Sequence, residues 1–182
     1  MKKIAILFFI TSSVIFAQKT YVPDDKFEQA LIDLGYDTAL DDSVLTANIS
    51  GVTTLDVSNK EISDLTGIEA FAALTSLSCH NNKLTSLDVS SNTNLTHLNC
   101  DGNQLTSLDV SKNTALTEII LEGNQLTSLD VSKNTALQTL HCHNNQLTSL
   151  NMKNGLKIGA GVNDIFLSAI QSLLQKEHQV FL

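Results

Sequence analysis

Leu95-Thr96-His97-Leu98-Asn99-Cys100-Asp101-Gly102-Asn103-Gln104-Leu105-Thr106-Ser107-Leu108-Asp109-Val110-Ser111 is the phrase on which the fold turns. It returns every 21 residues, with Leu74, Leu95, Leu116 and Leu137 opening four copies in one register. One copy keeps Leu74, Leu77, Cys79, Asn82, Leu84, Leu87 and Val89. The next but one keeps Leu116, Ile119, Leu121, Asn124, Leu126, Leu129 and Val131. The last keeps Leu137, Leu140, Cys142, Asn145, Leu147, Leu150 and Met152. A more divergent copy opens at Val52 with Leu55, Val57 and Ile62, carries Lys60 in the asparagine slot, and reaches Leu74 after 22 residues. Terminal repeats are commonly atypical, so this one reads as an entry repeat.

Within each copy the apolar residues two apart, such as Leu77 and Cys79, fall on one side of a short strand. Ser76, Ser78 and His80 fall on the other. Six or so apolar side chains are too few to offset the chain entropy of ordering a turn this long. A lone copy therefore cannot fold, and neighbours stacked into a shared core must stabilise it.

The pattern L-x-x-L-x-L-x-x-N-x-L resembles the signature of secreted bacterial leucine-rich repeat proteins, and the Val52 copy, continuing Ser63-Asp64-Leu65-Thr66-Gly67-Ile68, looks like an internalin-type repeat. The resemblance covers residues 52 to about 152. It implies an α/β fold: a right-handed solenoid with a parallel sheet on its concave face, short turns on its convex side and helical caps at both ends. It also implies adhesion or surface recognition as the broad role. Larger members of that family continue into anchoring or sorting domains, and residues 158–182 resemble none.

Two asparagine and aspartate columns follow from the period. Asn82, Asn103, Asn124 and Asn145 fall where the chain leaves the strand, and an amide carries both donors and acceptors for the backbone of its own turn and the next. Asp88, Asp109 and Asp130, each followed by Val-Ser, suit turns whose N–H groups a carboxylate accepts. Cys79, Cys100 and Cys142 share one core column with Leu121, so they read as small buried apolar residues and not as a metal site. A Cys79–Cys100 disulfide is the alternative.

The flanks read differently. Lys2 and Lys3, the apolar run Ile4 to Phe16 and the small Ala17 make residues 1–17 a signal peptide, too short for a membrane span. Its removal takes the formal charge from −8 to −10 and leaves nine lysines and no arginine. Nucleic acid and anionic membranes are poor partners for such a chain. Residues 18–51 form an N-terminal cap with a helix over 23–34, Phe27, Ala30, Leu31 and Leu34 making its apolar stripe and Gly35 its stop. Residues 52–157 hold five repeats of 21–22 residues. Over 158–182, Asn163 can open a helix over 164–177 bearing Phe166, Ile170, Leu173 and Leu174, a second cap unless it is a divergent tail.

The water-facing strand positions are the candidate binding surface: Thr54, Asp56 and Ser58; Ser76, Ser78 and His80; His97, Asn99 and Asp101; Glu118, Ile120 and Glu122; Thr139, His141 and His143. The expected partner is an extracellular or cell-surface protein or glycan, met by a monomer that is secreted, periplasmic or surface-bound. No phosphate loop, nucleophile elbow or zinc-ligand spacing occurs, so no catalytic residue, metal or cofactor is assigned. One alternative is a metal-binding or hydrolytic site where His97 adjoins Glu118 and Glu122 adjoins His143. The other is a structural remnant of a longer repeat protein.

Overall fold

A computed structural model describes residues 17–153. The expected signal peptide, apart from Ala17, and the expected helix over 164–177 lie outside those residues.

Five three-residue strands carry the array: β3 (Thr54–Asp56), β4 (Ser76–Ser78), β5 (His97–Asn99), β6 (Glu118–Ile120) and β8 (Thr139–His141). They pair parallel, in the order β3-β4-β5-β6-β8. The register brings Leu55, Leu77, Leu98, Ile119 and Leu140 into one line, so the period of the sequence becomes the rise of a solenoid. Each of these five is at most 1% exposed, and the core columns run continuously through Leu74, Leu95 and Leu116 and through Leu84, Leu105 and Leu126.

The ladder outruns the strands. Cys79 N–H donates to Asn99 O and Asn81 N–H to Asp101 O, both at 2.8 Å, and the same bonds recur from Cys100, Gly102 and Leu121 to the next turn. At the end of that run the backbone enters the left-handed region at Asn59, Asn81, Gly102, Gly123 and Asn144, one per turn. Asparagine and glycine tolerate that conformation best, so the column needs these two residue types.

The asparagine column behaves as its chemistry demands. Asn103 Nδ2 donates to Cys79 O of the preceding turn and to Cys100 O of its own, both at 3.0 Å, while its Oδ1 accepts from Leu84 N–H at 3.0 Å. Asn82, Asn124 and Asn145 repeat the scheme. A second buried column, Asn92, Asn113 and Asn134, faces the other side of the coil. Its amides donate to carbonyls of the preceding turn, as Asn113 does to Val89 O and Asn92 O at 2.9 Å.

On the convex side the aspartates close turns: Ser90, Ser111 and Ser132 donate their N–H groups to Asp88, Asp109 and Asp130. Bonds from these serines, the N–H foremost at Asp88 and Asp109 and the hydroxyl foremost at Asp130, hold all three carboxyls below the usual carboxylate range. In the last two turns the convex side is more than a turn. There β7 (Ser128–Asp130) pairs in parallel with β9 (Ser149–Asn151), a small second sheet. The three cysteines are free and buried, with no disulfide. Burial pushes the Cys142 thiol up to about 11, and contact with Cys79, together with burial, raises that of Cys100.

Ahead of the repeats, β1 (Lys19–Tyr21) pairs antiparallel with β2 (Ser43–Leu45) around α1 (Asp25–Asp33), and α2 (Thr46–Ile49) leads into the array. Helix α1 starts two residues later than the sequence suggests. Asp24 stays extended, and its Oδ1 accepts from the N–H groups of Lys26 and Phe27, which makes it the N-cap and puts Pro23 outside the helix. At the other end Gly35 takes φ 79°, with Gly35 N–H on Ile32 O and Tyr36 N–H on Leu31 O, a Schellman closure. Leu34 is therefore the C-cap and 45% exposed, not part of the buried stripe.

Three contacts seat this unit on the first repeat. Phe27 lies 6.4 Å from Phe71, centroid to centroid. Asp24 Oδ2 accepts from Ser63 N–H, Ser63 O–H and Asp64 N–H. Gly67, at φ 106°, passes so close that a Cβ there would stand 2.8 Å from Tyr21 O. Among the described residues no helix is long and apolar enough to cross a membrane.

Candidate binding face

Because residues two apart share a face, burying Leu77, Leu98, Ile119 and Leu140 forces their neighbours outward. Register then aligns Thr54, Ser76, His97, Glu118 and Thr139 in one row, and Asp56, Ser78, Asn99, Ile120 and His141 in a second. A third row, Ser58, His80, Asp101, Glu122 and His143, continues beyond the strands along the extended ladder. Every expected face residue thus reaches the concave surface. Thr54, Asp56 and His97 are exposed and the others half-buried, as close-set neighbours make them.

The rows differ in how much they are occupied with each other. In the third, His143 Nε2 pairs with Glu122 Oε1, which also accepts from Asn144 Nδ2 at 3.2 Å. His80 Nδ1 meets Ser78 Oγ at 2.9 Å and its Nε2 meets Asn59 Nδ2 at 3.3 Å. Asp56 Oδ1 accepts from Ser58 O–H at 2.6 Å and Ser58 N–H at 3.0 Å, and these bonds lower its carboxyl below the usual range.

The first row is less committed. His97 and Glu118 are register partners, as adjacency suggests, yet His97 Nδ1 turns to Thr96 Oγ1 at 2.8 Å. Thr96 O–H itself donates to Thr75 O at 3.0 Å, so the ring Nδ1 must be the donor. In the neutral form of this exposed imidazole, Nε2 is then the acceptor.

Chemically the face offers hydrogen bonds, carboxylates and imidazoles around one apolar contact, Ile120. Among the described residues, His, Asp and Glu of this face bring no three ligand atoms within 4.8 Å of one another; the groups that do so lie in the N-terminal unit. Sequence reasoning did not find the left-handed column or the Asn92, Asn113 and Asn134 column. The recurrence of Asn or Gly just before each strand-end asparagine, and of Asn92, Asn113 and Asn134 in Ser-x-Asn, was the available signal.

The comparisons agree with this geometry. A family model described as Leucine Rich repeats (2 copies) matches residues 72–113. Internalin J of Listeria monocytogenes is 39% identical over 73 residues, which are 40% of this chain and 8% of that protein. Among solved structures, the functional domain of InlJ from Listeria monocytogenes, described as including a cysteine ladder, superposes at TM-score 0.69 with 38% identity over 78% of this chain and 32% of that one. The chain is an internalin-like leucine-rich repeat protein. A Leptospira interrogans leucine-rich repeat protein shares its fold at TM-score 0.54 and 26% identity, over 57% of this internalin-like chain and 28% of the other. The internalin-like chain thus spans less than a tenth of Internalin J and about a third of the solved InlJ domain.

Proposed function

We propose that the chain is an exported, non-enzymatic binding module whose concave sheet recognises a protein outside the cytoplasm, in an adhesion-like role. One observation carries the reading: the positions that change from turn to turn line up on one open face, while the buried columns beneath it and the convex turns behind it recur almost unchanged. Serine, histidine, glutamate and threonine follow each other along a single row, so the face is chemically particular although the scaffold beneath it is uniform. The likeness to internalins and the leader-like residues 1–17 support export and surface recognition. The concave positions include no Trp, Tyr or Phe to stack against a sugar ring, which favours a protein over a glycan.

The test is affinity capture from a mixture of extracellular proteins and glycans, using the chain and a His97→Ala/Glu118→Ala/His141→Ala variant. The reading expects proteins retained by the first and released at least tenfold more readily by the second. Equal capture by both contradicts the concave assignment, and retention of glycans alone contradicts the choice of partner.

A further inference from the structure

The N-terminal unit buries a carboxylate that the fold does not neutralise. Glu28 sits one turn into α1 with its side chain wholly buried. Its Oε1 accepts from Asp41 N–H at 3.0 Å and Ser43 N–H at 2.9 Å, which locks the 37–43 loop over the helix. Its Oε2 is buried without a hydrogen-bond partner, and so is Oδ2 of Asp37 in the same loop. An ionised carboxylate in that position is costly unless a cation answers it.

Glu28, Asp37 and Asp41 each bring a carboxylate oxygen within 4.8 Å of the other two. Asp25, Glu28 and Asp42 form a second such group, so four other acids converge on Glu28. The cation hydrogen-bonded to the cluster is Lys19, whose Nζ lies 2.8 Å from Asp41 Oδ2 and 2.9 Å from Ser43 Oγ. Asp41, with Asp37 and Glu28 behind it, holds that ammonium above its ordinary range. Lys19 is exposed and reaches the outer edge of the cluster, so the three acids it serves keep a surplus of two negative charges.

We propose that Glu28, Asp37 and Asp41 form a calcium site that ties α1 to the loop leading into β2. Oxygen-only donors select a hard divalent ion. Calcium accepts irregular sets of oxygens at about 2.4 Å, so ligands on opposite sides of one ion stand up to about 4.8 Å apart. Magnesium, strictly octahedral and reluctant to shed its water, suits such an irregular all-protein set less well. Backbone carbonyls and water would complete the shell. The ion supplies the charge that Oε2 of Glu28 and Oδ2 of Asp37 lack, and it joins residues that are 13 apart in sequence.

Calorimetric titration of the EDTA-treated chain with calcium chloride, alongside melting with and without the ion, tests this. One ion per chain is expected, with a dissociation constant of about 10⁻⁴ to 10⁻³ M as in weak extracellular sites. At ten times that concentration the melting temperature should rise by about 4 °C. Glu28→Gln keeps the Oε1 acceptor and removes the charge, so it should abolish the calcium response while melting no lower than the wild type in EDTA. Asp37→Asn, on a loop, should weaken binding at least tenfold and serves if Glu28→Gln fails to fold. Asp109→Asn, on the convex aspartate column, should change nothing. The proposal is overturned if calcium produces neither heat nor a melting shift, if both variants respond as the wild type does, or if magnesium serves equally well.

Discussion

The repeats and the unit ahead of them bury polar groups by opposite means. In the repeats every buried side chain of that kind among the described residues is an amide, and its partners are backbone groups of the neighbouring turn, joined in the Asn103 column by those of its own. In residues 17–51 the fully buried group is a carboxylate, Glu28, and its partners come from a loop that obeys no period. A neutral amide gives and accepts hydrogen bonds, so it can be repeated without accumulating charge. A carboxylate only accepts, so it suits a single place where the chain must be held once.

The largest effect should come from breaking the repeated device. Asn103→Ala strands the N–H of Leu84 in the core, at about 1–3 kcal/mol, and takes one of two amide donors from each of the Cys79 and Cys100 carbonyls, at about 1 kcal/mol apiece, so about 4 kcal/mol should be lost in urea denaturation. Leu98→Ala, at the centre of the sheet, should cost about 3 kcal/mol in the same assay through the cavity it leaves.

Breaking the single device should cost less. Asp24→Ala removes the N-cap of α1 and the clamp on Ser63 and Asp64, for about 2 kcal/mol by thermal melting. The same carboxylate gives a pH test. Burial pushes the Asp24 carboxyl up, but bonds from Ser63, Phe27 and Asp64 more than offset that and hold it below its ordinary 3.8. Its contribution is therefore present above 3.8 and fades as acid takes the pH down through the lower folded value. Stability measured between pH 5 and pH 2 should fall with a shallower slope in Asp24→Asn than in the wild type.

Much of the array was legible because the same physical problem is solved in turn after turn. Leu77, Leu98, Ile119 and Leu140 had to share a face, and Asn82, Asn103, Asn124 and Asn145 had to serve the backbone where it turned. The concave rows followed by parity from the buried ones. Asp24 was readable as a helix-start residue, but its hold on Ser63, 39 residues away, depends on tertiary placement that no local pattern carries. The burial of Glu28 depends on the 37–43 loop in the same way, and no local pattern announces it. The convex pairing of β7 with β9 also escaped notice, since Leu129 and Leu150 satisfy the repeat equally well as turn or strand.

The smallest effect sharpens the left-handed column. A Cβ on Gly102 would collide with Asn81 Oδ1, whereas one on Gly123 would meet nothing nearer than 3.6 Å. Gly123→Asn should therefore melt within about 0.5 kcal/mol of the wild type, asparagine already holding this conformation at Asn81 and Asn144, while Gly102→Asn should be the worse of the two.

Underlying all of this is the proposed division of labour, in which the buried columns hold the coil together and the concave rows are left for recognition. The melting temperature of the His97→Ala/Glu118→Ala/His141→Ala variant tests it most directly. The expected result is a transition within about 2 °C of the wild type and equally sharp, since none of the three side chains supports another turn. A transition lowered by 10 °C or more would show that those rows are part of the framework, contradicting the separation of scaffold from binding face.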